Sequence, residues 1–203
     1  MTVKVGVLVS GRGSNLQALL DACADPDFPA EIALVISNVA GAYALDRAEK
    51  AKVPTLTISH KDFATREAFD AEMDKALRAA GVEIVCLAGF MRLLSAGFVE
   101  GWRGKMLNIH PALLPSFKGL HTHRRALEAG VKLHGCTVHL VTPDLDDGPI
   151  VVQDAVPVLA TDDEDSLAAR VLAREHVAYP LALKLLALGR VRVEGNRALI
   201  VDA

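Results

Sequence analysis

The chain alternates short apolar runs with longer amphipathic stretches. Val3 to Val9 is a β-branched run that ends in Ser10-Gly11-Arg12-Gly13-Ser14-Asn15, after which Leu16, Leu19 and Leu20 fall at helical spacing. The alternation continues with a strand at Ile32 to Ser37, a helix at Tyr43 to Ala51, and a short strand at Thr55 to Ile58 behind Pro54. A helix at Thr65 to Ala80, closed by Gly81, and a buried strand at Ile84 to Leu87 follow. Strands and helices in this order predict a mostly parallel sheet with right-handed crossovers. Further on, an apolar run ends at Asn108-Ile109-His110, a short helix spans Arg124 to Ala129, and strands are expected at Leu133 to Val141 and Ile150 to Val156. Thr161-Asp162-Asp163-Glu164 has a capping-box pattern opening a long helix to Leu188, which Pro180 is expected to break or kink. A terminal hairpin is expected from Val191 to Val193 and Ala198 to Val201 around Gly195-Asn196.

Composition narrows this picture without changing it. The 203 residues suffice for one sizeable core and are few for two. With 51% apolar and 23% charged residues, a disordered chain is excluded. A net charge of −3 disfavours nucleic acid as the main ligand, because backbone phosphates need clustered Lys and Arg. No apolar run approaches the roughly 20 residues that span a bilayer, and the N-terminus enters a strand directly, so a cytoplasmic protein without membrane contact is expected. Cys23, Cys86 and Cys136 form no CxxC pair and read as small buried hydrophobes.

Candidate chemistry gathers where such sheets bind ligands, beyond the carboxyl ends of their strands. The turn from Gly11 to Asn15 leaves backbone N–H groups open at a helix N-terminus, which suits a phosphate. Leu16 stands where a dinucleotide fingerprint has its third Gly, and the Lys-Ser/Thr of a P-loop is missing, so a monophosphate fits best. A tight turn without ligand is the alternative. Asn108 and His110 share one face of a strand and pair a neutral donor with a titratable ring, as oxyanion chemistry requires. A turn and a satisfied core histidine would explain the same residues. The loop from Thr142 to Pro149 holds Asp144, Asp146 and Asp147, an arrangement typical of a solvated turn. Asp146, on reaching His110, would stabilise its imidazolium. His121 and His123 lack a third ligand at a recognisable spacing, so no metal is expected and both histidines are read as bonded to backbone in a turn. Ser14 and Ser116 lack a nucleophile-elbow context. An Asn/His/Asp set without a protein nucleophile points to direct transfer between two bound substrates through a tetrahedral intermediate.

Five motifs stand in one order: Gly-x-Gly-Ser-Asn at Gly11 to Asn15, Leu-Ala-Gly-Phe-Met-Arg at Leu87 to Arg92, Asn-Ile-His-Pro at Asn108 to Pro111, Gly-Leu-His-Thr-His at Gly119 to His123, and Leu-Asp-x-Gly-Pro at Leu145 to Pro149. In these the chain resembles the phosphoribosylglycinamide formyltransferase family over essentially its whole length. The resemblance implies an α/β Rossmann-like formyltransferase fold, with a mostly parallel sheet flanked by helices and an antiparallel C-terminal portion. It implies one domain over residues 1–203, with a phosphate and ribonucleotide half at 1–100 and a catalytic and folate half at 101–203. The implied reaction moves the formyl group of 10-formyltetrahydrofolate, a co-substrate, to the amine of glycinamide ribonucleotide in purine biosynthesis. By position, Asn108, His110 and Asp146 match the catalytic residues, and Gly13, Ser14, Asn15 and Glu175 the ribonucleotide site. Arg66, Met91, Arg92, Leu93, Leu94, Asn108, Thr142, Pro143, Asp144, Leu145 and Asp146 match positions around the folate. Arg12 and Asp147 stand where some members have Asn and Gly, which bears on phosphate affinity and on the stiffness of the folate loop. The implied partners are small molecules, with neither nucleic acid nor membrane; a weak homodimer is left open. Formyltetrahydrofolate deformylase and methionyl-tRNA formyltransferase share the Asn/His/Asp logic, but each carries an extra domain for which 203 residues leave no room; a non-catalytic nucleotide-binding module is the reading from another class.

Overall fold

β-Branched and aliphatic residues bring seven strands together in the order β3-β2-β1-β4-β5-β6-β7 in the computed structural model, which describes residues 2–202; Met1 and Ala203 of the expected domain lie outside these. The strands are β1 (Val3–Val9), β2 (Ala30–Ser37), β3 (Thr55–Thr57), β4 (Ile84–Leu87), β5 (Met106–His110), β6 (Leu133–Leu140) and β7 (Ile150–Pro157). The first five run parallel, and β6 and β7 are added by antiparallel pairing. The expected α/β sheet with an antiparallel C-terminal portion is therefore present. The hairpin of β8 (Val191–Glu194) and β9 (Arg197–Ile200) also forms as expected.

Alternation along β1 sets the two faces. Val5, Val7 and Val9 join α1 (Ser14–Cys23), α2 (Tyr43–Lys50), α5 (Thr122–Glu128) and α6 (Glu164–Ala187) in one core, whereas Leu8 joins α3 (Arg66–Ala79) and α4 (Ala96–Gly101) in the other. Gly6 lies on that second face, where a Cβ would come 2.4 Å from Leu77 Cδ2, so close packing of α3 on the sheet requires a glycine.

Four local expectations are corrected. α6 runs through Pro180 unbroken, because Tyr179, Ala182 and Leu183 are buried on either side and packing outweighs the lost N–H. Its capping box lies two residues later than the Thr161 pattern, with Asp163 accepting from Ser166 N–H and Ser166 answering the N-cap backbone. α4 was not foreseen from the pattern. It is six residues long, is capped by Ser95, and its cap N–H is held by buried Asp70 Oδ2 at 2.6 Å. Cys23 is only partly buried, although Cys86 and Cys136 are in the core; burial pushes all three thiols up to about 12.

Candidate active site

Asn108 and His110 point from one face of β5, and the antiparallel return of β6 sets His139 opposite Asn108 and Thr137 opposite His110. Facing cross-strand side chains touch, and Asn108 Nδ2 lies 3.2 Å from His139 Nε2. His139 Nδ1 donates to the Leu140 carbonyl at 3.0 Å, which makes Nε2 the acceptor and the Asn108 amide the donor. Burial, the leading cause, holds the His139 imidazole below its usual range and keeps the ring neutral for this role. One amide hydrogen of Asn108 is thereby fixed, and the orientation of the other is set.

His110 is 5% exposed. Its Nε2 lies 2.9 Å from the Phe117 carbonyl and its Nδ1 3.4 Å from Asp146 Oδ2. An acceptor at each ring nitrogen suits the doubly protonated imidazolium. Asp146 reaches this point because its backbone is left-handed, with φ 49°, a conformation Asp tolerates better than most residues. Gly119 N–H donates to Asp146 Oδ2 at 2.9 Å, and Oδ1 lies 3.8 Å from His139 Nε2. The acidic loop is thus divided. Asp144 and Asp147 are exposed, while the Asp146 side chain is 8% exposed between two imidazoles. Next to it, a Cβ on Gly148 would lie 1.7 Å from the Leu140 carbonyl oxygen, so only glycine lets the loop dock this closely.

At the end of β1, no side chain caps α1, whose N-cap Gly13 has φ 73°, and its first N–H groups are left open to an anion. Ala44 N–H binds the Gly11 carbonyl at 3.0 Å and Arg47 Nε binds the Arg12 carbonyl at 2.9 Å. Both turn carbonyls are held against α2. A Cβ on Gly13 would fall 2.6 Å from Ala44 Cβ, which ties this glycine to the same contact. Asn15 Nδ2 donates to Glu175 Oε2 at 2.7 Å, and Asn15 Oδ1 is buried without a partner. Burial raises the Glu175 carboxyl above the usual range, with the Asn15 bond acting against it. One turn further along α6, the Tyr179 hydroxyl lies 2.9 Å from the Leu87 carbonyl and 3.2 Å from that of Leu107. Tyr179 therefore docks α6 on the end of β4 and the start of β5 and positions Glu175.

The structure brings His110 and Asp146 into contact, links Asn108 to Asp146 through His139, and separately joins Asn15 to Glu175. The remaining expected positions are more open. Met91, Arg92 and Leu93 are exposed after β4, and Leu94 is partly buried against the second core. Arg66 is exposed at the start of α3, near the stacked rings of Phe69 and Phe90. Thr142 is half-buried, and Pro143, Asp144 and Leu145 face solvent. Asp147 pairs with Lys118, and its carbonyl accepts from Asn196 Nδ2 at 3.1 Å, so the loop is tied to two other segments. His121 has φ 55° at the head of α5, while His123 stacks edge-on to buried His134 at 5.3 Å with its Nδ1 unpartnered, contrary to the backbone bonding expected of it. Among the described residues no group of three or more His, Cys, Asp or Glu side chains is placed to hold a metal ion. His139, Tyr179 and Arg47 are the contributors that sequence reasoning missed. For His139 the available signal was the polar face Gly135-Thr137-His139 within an apolar strand.

The model of the formyl transferase family matches residues 3–183. The chain belongs to the formyl transferase family. Among its relatives is the phosphoribosylglycinamide formyltransferase of Escherichia coli (strain K12), 46% identical over 196 residues that cover 97% of this chain and 92% of that protein. The trifunctional purine biosynthetic protein adenosine-3 of Drosophila melanogaster is 56% identical over 92% of this chain, which spans 14% of that protein's length. Among solved formyl transferase structures, glycinamide ribonucleotide transformylase 1 from Symbiobacterium toebii superposes with a TM-score of 0.97 at 49% identity, covering 99% of this chain and 95% of that one. No helix among the described residues is long and apolar enough to cross a membrane.

Proposed function

We propose that this formyl transferase moves the formyl group of 10-formyltetrahydrofolate to the amine of glycinamide ribonucleotide, giving the N-formyl ribonucleotide and tetrahydrofolate. The observation that carries the reading is the gathering of Asn108, His110 and Asp146 at the end of β5, with His110 3.4 Å from Asp146 and Asn108 bonded at 3.2 Å to His139, whose ring lies 3.8 Å from Asp146. The names of the relatives in the preceding section support the same substrates.

In this reading the amine lone pair attacks the formyl carbon, and the carbonyl π pair moves to oxygen. The free amide hydrogen of Asn108 and a proton of His110 stabilise the oxyanion. His110 makes that bond by exchanging its contact with the Phe117 carbonyl for the substrate oxygen. Asp146, directly or through water, takes the proton shed by the amine. Collapse of the intermediate breaks the bond to the folate nitrogen, which leaves with a proton from His110. The ribonucleotide phosphate rests on Gly13, Ser14 and Asn15, with Glu175 near the amine. The exposed apolar side chains of Met91, Leu93 and Leu145 suit the flat pterin, with Arg66, Arg92, Leu94, Thr142, Pro143 and Asp144 around the rest of the folate. Most nucleotide contacts then come from residues 1–100, and the chemistry comes from 101–203. The reading further places the protein in the cytoplasm, acting on small molecules without nucleic acid or membrane, and leaves a weak homodimer open.

The test is tetrahydrofolate release from 10-formyltetrahydrofolate with and without glycinamide ribonucleotide. Release that depends on the ribonucleotide is expected. Equal release in its absence means water is the acceptor and the protein is a deformylase.

A further inference from the structure

The winding of the sheet reverses between β1 and β4, which lie side by side in the order β3-β2-β1-β4-β5. A crevice opens beyond the strand ends at such a point, and its two lips are the loops after β1 and β4. The backbone ladder stops there, with Ala88 N–H on the Leu8 carbonyl at 2.9 Å and Asn38 N–H on the Val9 carbonyl at 3.4 Å. One residue further, a side chain takes over. The Ser10 hydroxyl accepts from Met91 N–H at 2.8 Å and donates to Asn38 Oδ1 at 2.6 Å. A hydroxyl has one hydrogen and two lone pairs, so both bonds form at once. Asn38 is 4% exposed, and its Nδ2 lies 3.3 Å from His60 Nδ1. The chain of bonds from Met91 through Ser10 and Asn38 to His60 thus joins the loops after β4, β1, β2 and β3.

The lip after β4 has no helix or strand until Ala96, and Met91 and Leu93 are 66% and 62% exposed on it. Two of its anchors are the stack of Phe90 on Phe69, with centroids 6.5 Å apart, and the Met91 bond to Ser10. Ser10 directly precedes the turn that would hold the phosphate.

We infer that Ser10 is a positioning residue whose hydroxyl clasps the two lips of the crevice and fixes the spacing between the nucleotide turn, Gly11 to Asn15, and the folate segment, Met91 to Leu94. The inference rests on the proposed formyl transfer. Each substrate is seated on one lip, so the spacing sets how closely the amine approaches the formyl carbon. Reacting atoms need about 3–3.5 Å, and a shift of about 1 Å costs on the order of a hundredfold in rate.

Steady-state kinetics with glycinamide ribonucleotide and 10-formyltetrahydrofolate, together with thermal melts, test the clasp in the full chain. In Ser10→Ala, kcat is expected to fall by roughly ten- to a hundredfold while both KM values stay close to wild type. Ser10→Thr, which keeps the hydroxyl, should restore most of kcat. Ser10→Cys, of similar size but a weaker hydrogen-bond partner, should fall with Ala and serves if the Ala variant does not fold. Wild-type kcat in both Ala and Cys variants overturns the clasp, as does a raised folate KM with unchanged kcat. An equal loss in Ala and Thr variants, matched by lower melting temperatures, also overturns it by marking Ser10 as merely structural. A wild-type protein with no transfer overturns the functional reading and the clasp with it, whereas active wild type beside unaffected variants overturns the clasp alone.

Discussion

Asn108 has a free amide whose direction depends on one neutral neighbour. His139 can accept from it only because its own Nδ1–H is spent on the Leu140 carbonyl and burial keeps the ring uncharged. His139→Ala leaves the Asn108 backbone in place and releases its side chain. A lost hydrogen bond of about 1 kcal/mol corresponds to a fivefold or larger fall in turnover. Single-turnover kinetics should place that loss in the chemical step, with ribonucleotide affinity unchanged; weakened ribonucleotide binding at a normal chemical rate would assign His139 elsewhere. Asp146 shows a different dependence at the same scale. The three acids of its loop look alike in sequence, and Asp146 is separated from its neighbours by a left-handed backbone and by Gly119 N–H.

At the level of elements, local chemistry was legible and long-range register was not. The Gly-rich turn, the parallel strands and the hairpin around Gly195-Asn196 could be read because each is specified within a few residues. α6 shows where local rules overlap. Asp163 with Ser166 caps it, while the neighbouring Thr161 and Glu164 imitate a cap two residues earlier. Asp163→Ala should lower stability by about 1 kcal/mol in urea unfolding, and Thr161→Ala should change it little; the opposite order would restore the earlier boundary. Pro180 departs from the local rule because the helix ladder alone takes no account of the burial of Tyr179, Ala182 and Leu183 on both sides. The pairing of Asn108 with His139 depends on an antiparallel return whose register the sequence does not display. The candidate catalytic positions are therefore legible in motif and resemblance, whereas their partners depend on the fold.

The molecule as a whole carries a pH dependence in its buried rings. His134 is fully buried, and desolvation, reinforced by neighbouring His123 and His110, pushes its imidazole down to about 4. Burial lowers His123, His139 and His176 in the same direction. An unfolded chain protonates these rings near pH 6.5, so between that value and about pH 4 it binds more protons than the native state. The rings' contribution to stability should therefore be fully present above roughly pH 6.5 and fall as the pH drops through this window; below it, the carboxyls of Asp162 and Asp163, lowered by their bonds to Arg170 and Ser166, carry the loss further. Asp70 and Glu175, raised by burial, oppose the trend, but they are two carboxyls against four imidazoles. Urea midpoints across this range should show the slope, and His134→Leu should remove up to about one proton from it; an unchanged slope would place the sensitivity in other groups. The grip of α2 on the Gly11 and Arg12 carbonyls has a consequence of another kind. α2 lies between β2 and the three-residue edge strand β3, which is mostly exposed, and such margins open locally far more often than a whole domain unfolds. Each opening of that margin would loosen the turn from behind, so an anion seated there acts as a brace. Amide protons of α2 and β3 would then exchange more slowly in its presence, although none of them touches it.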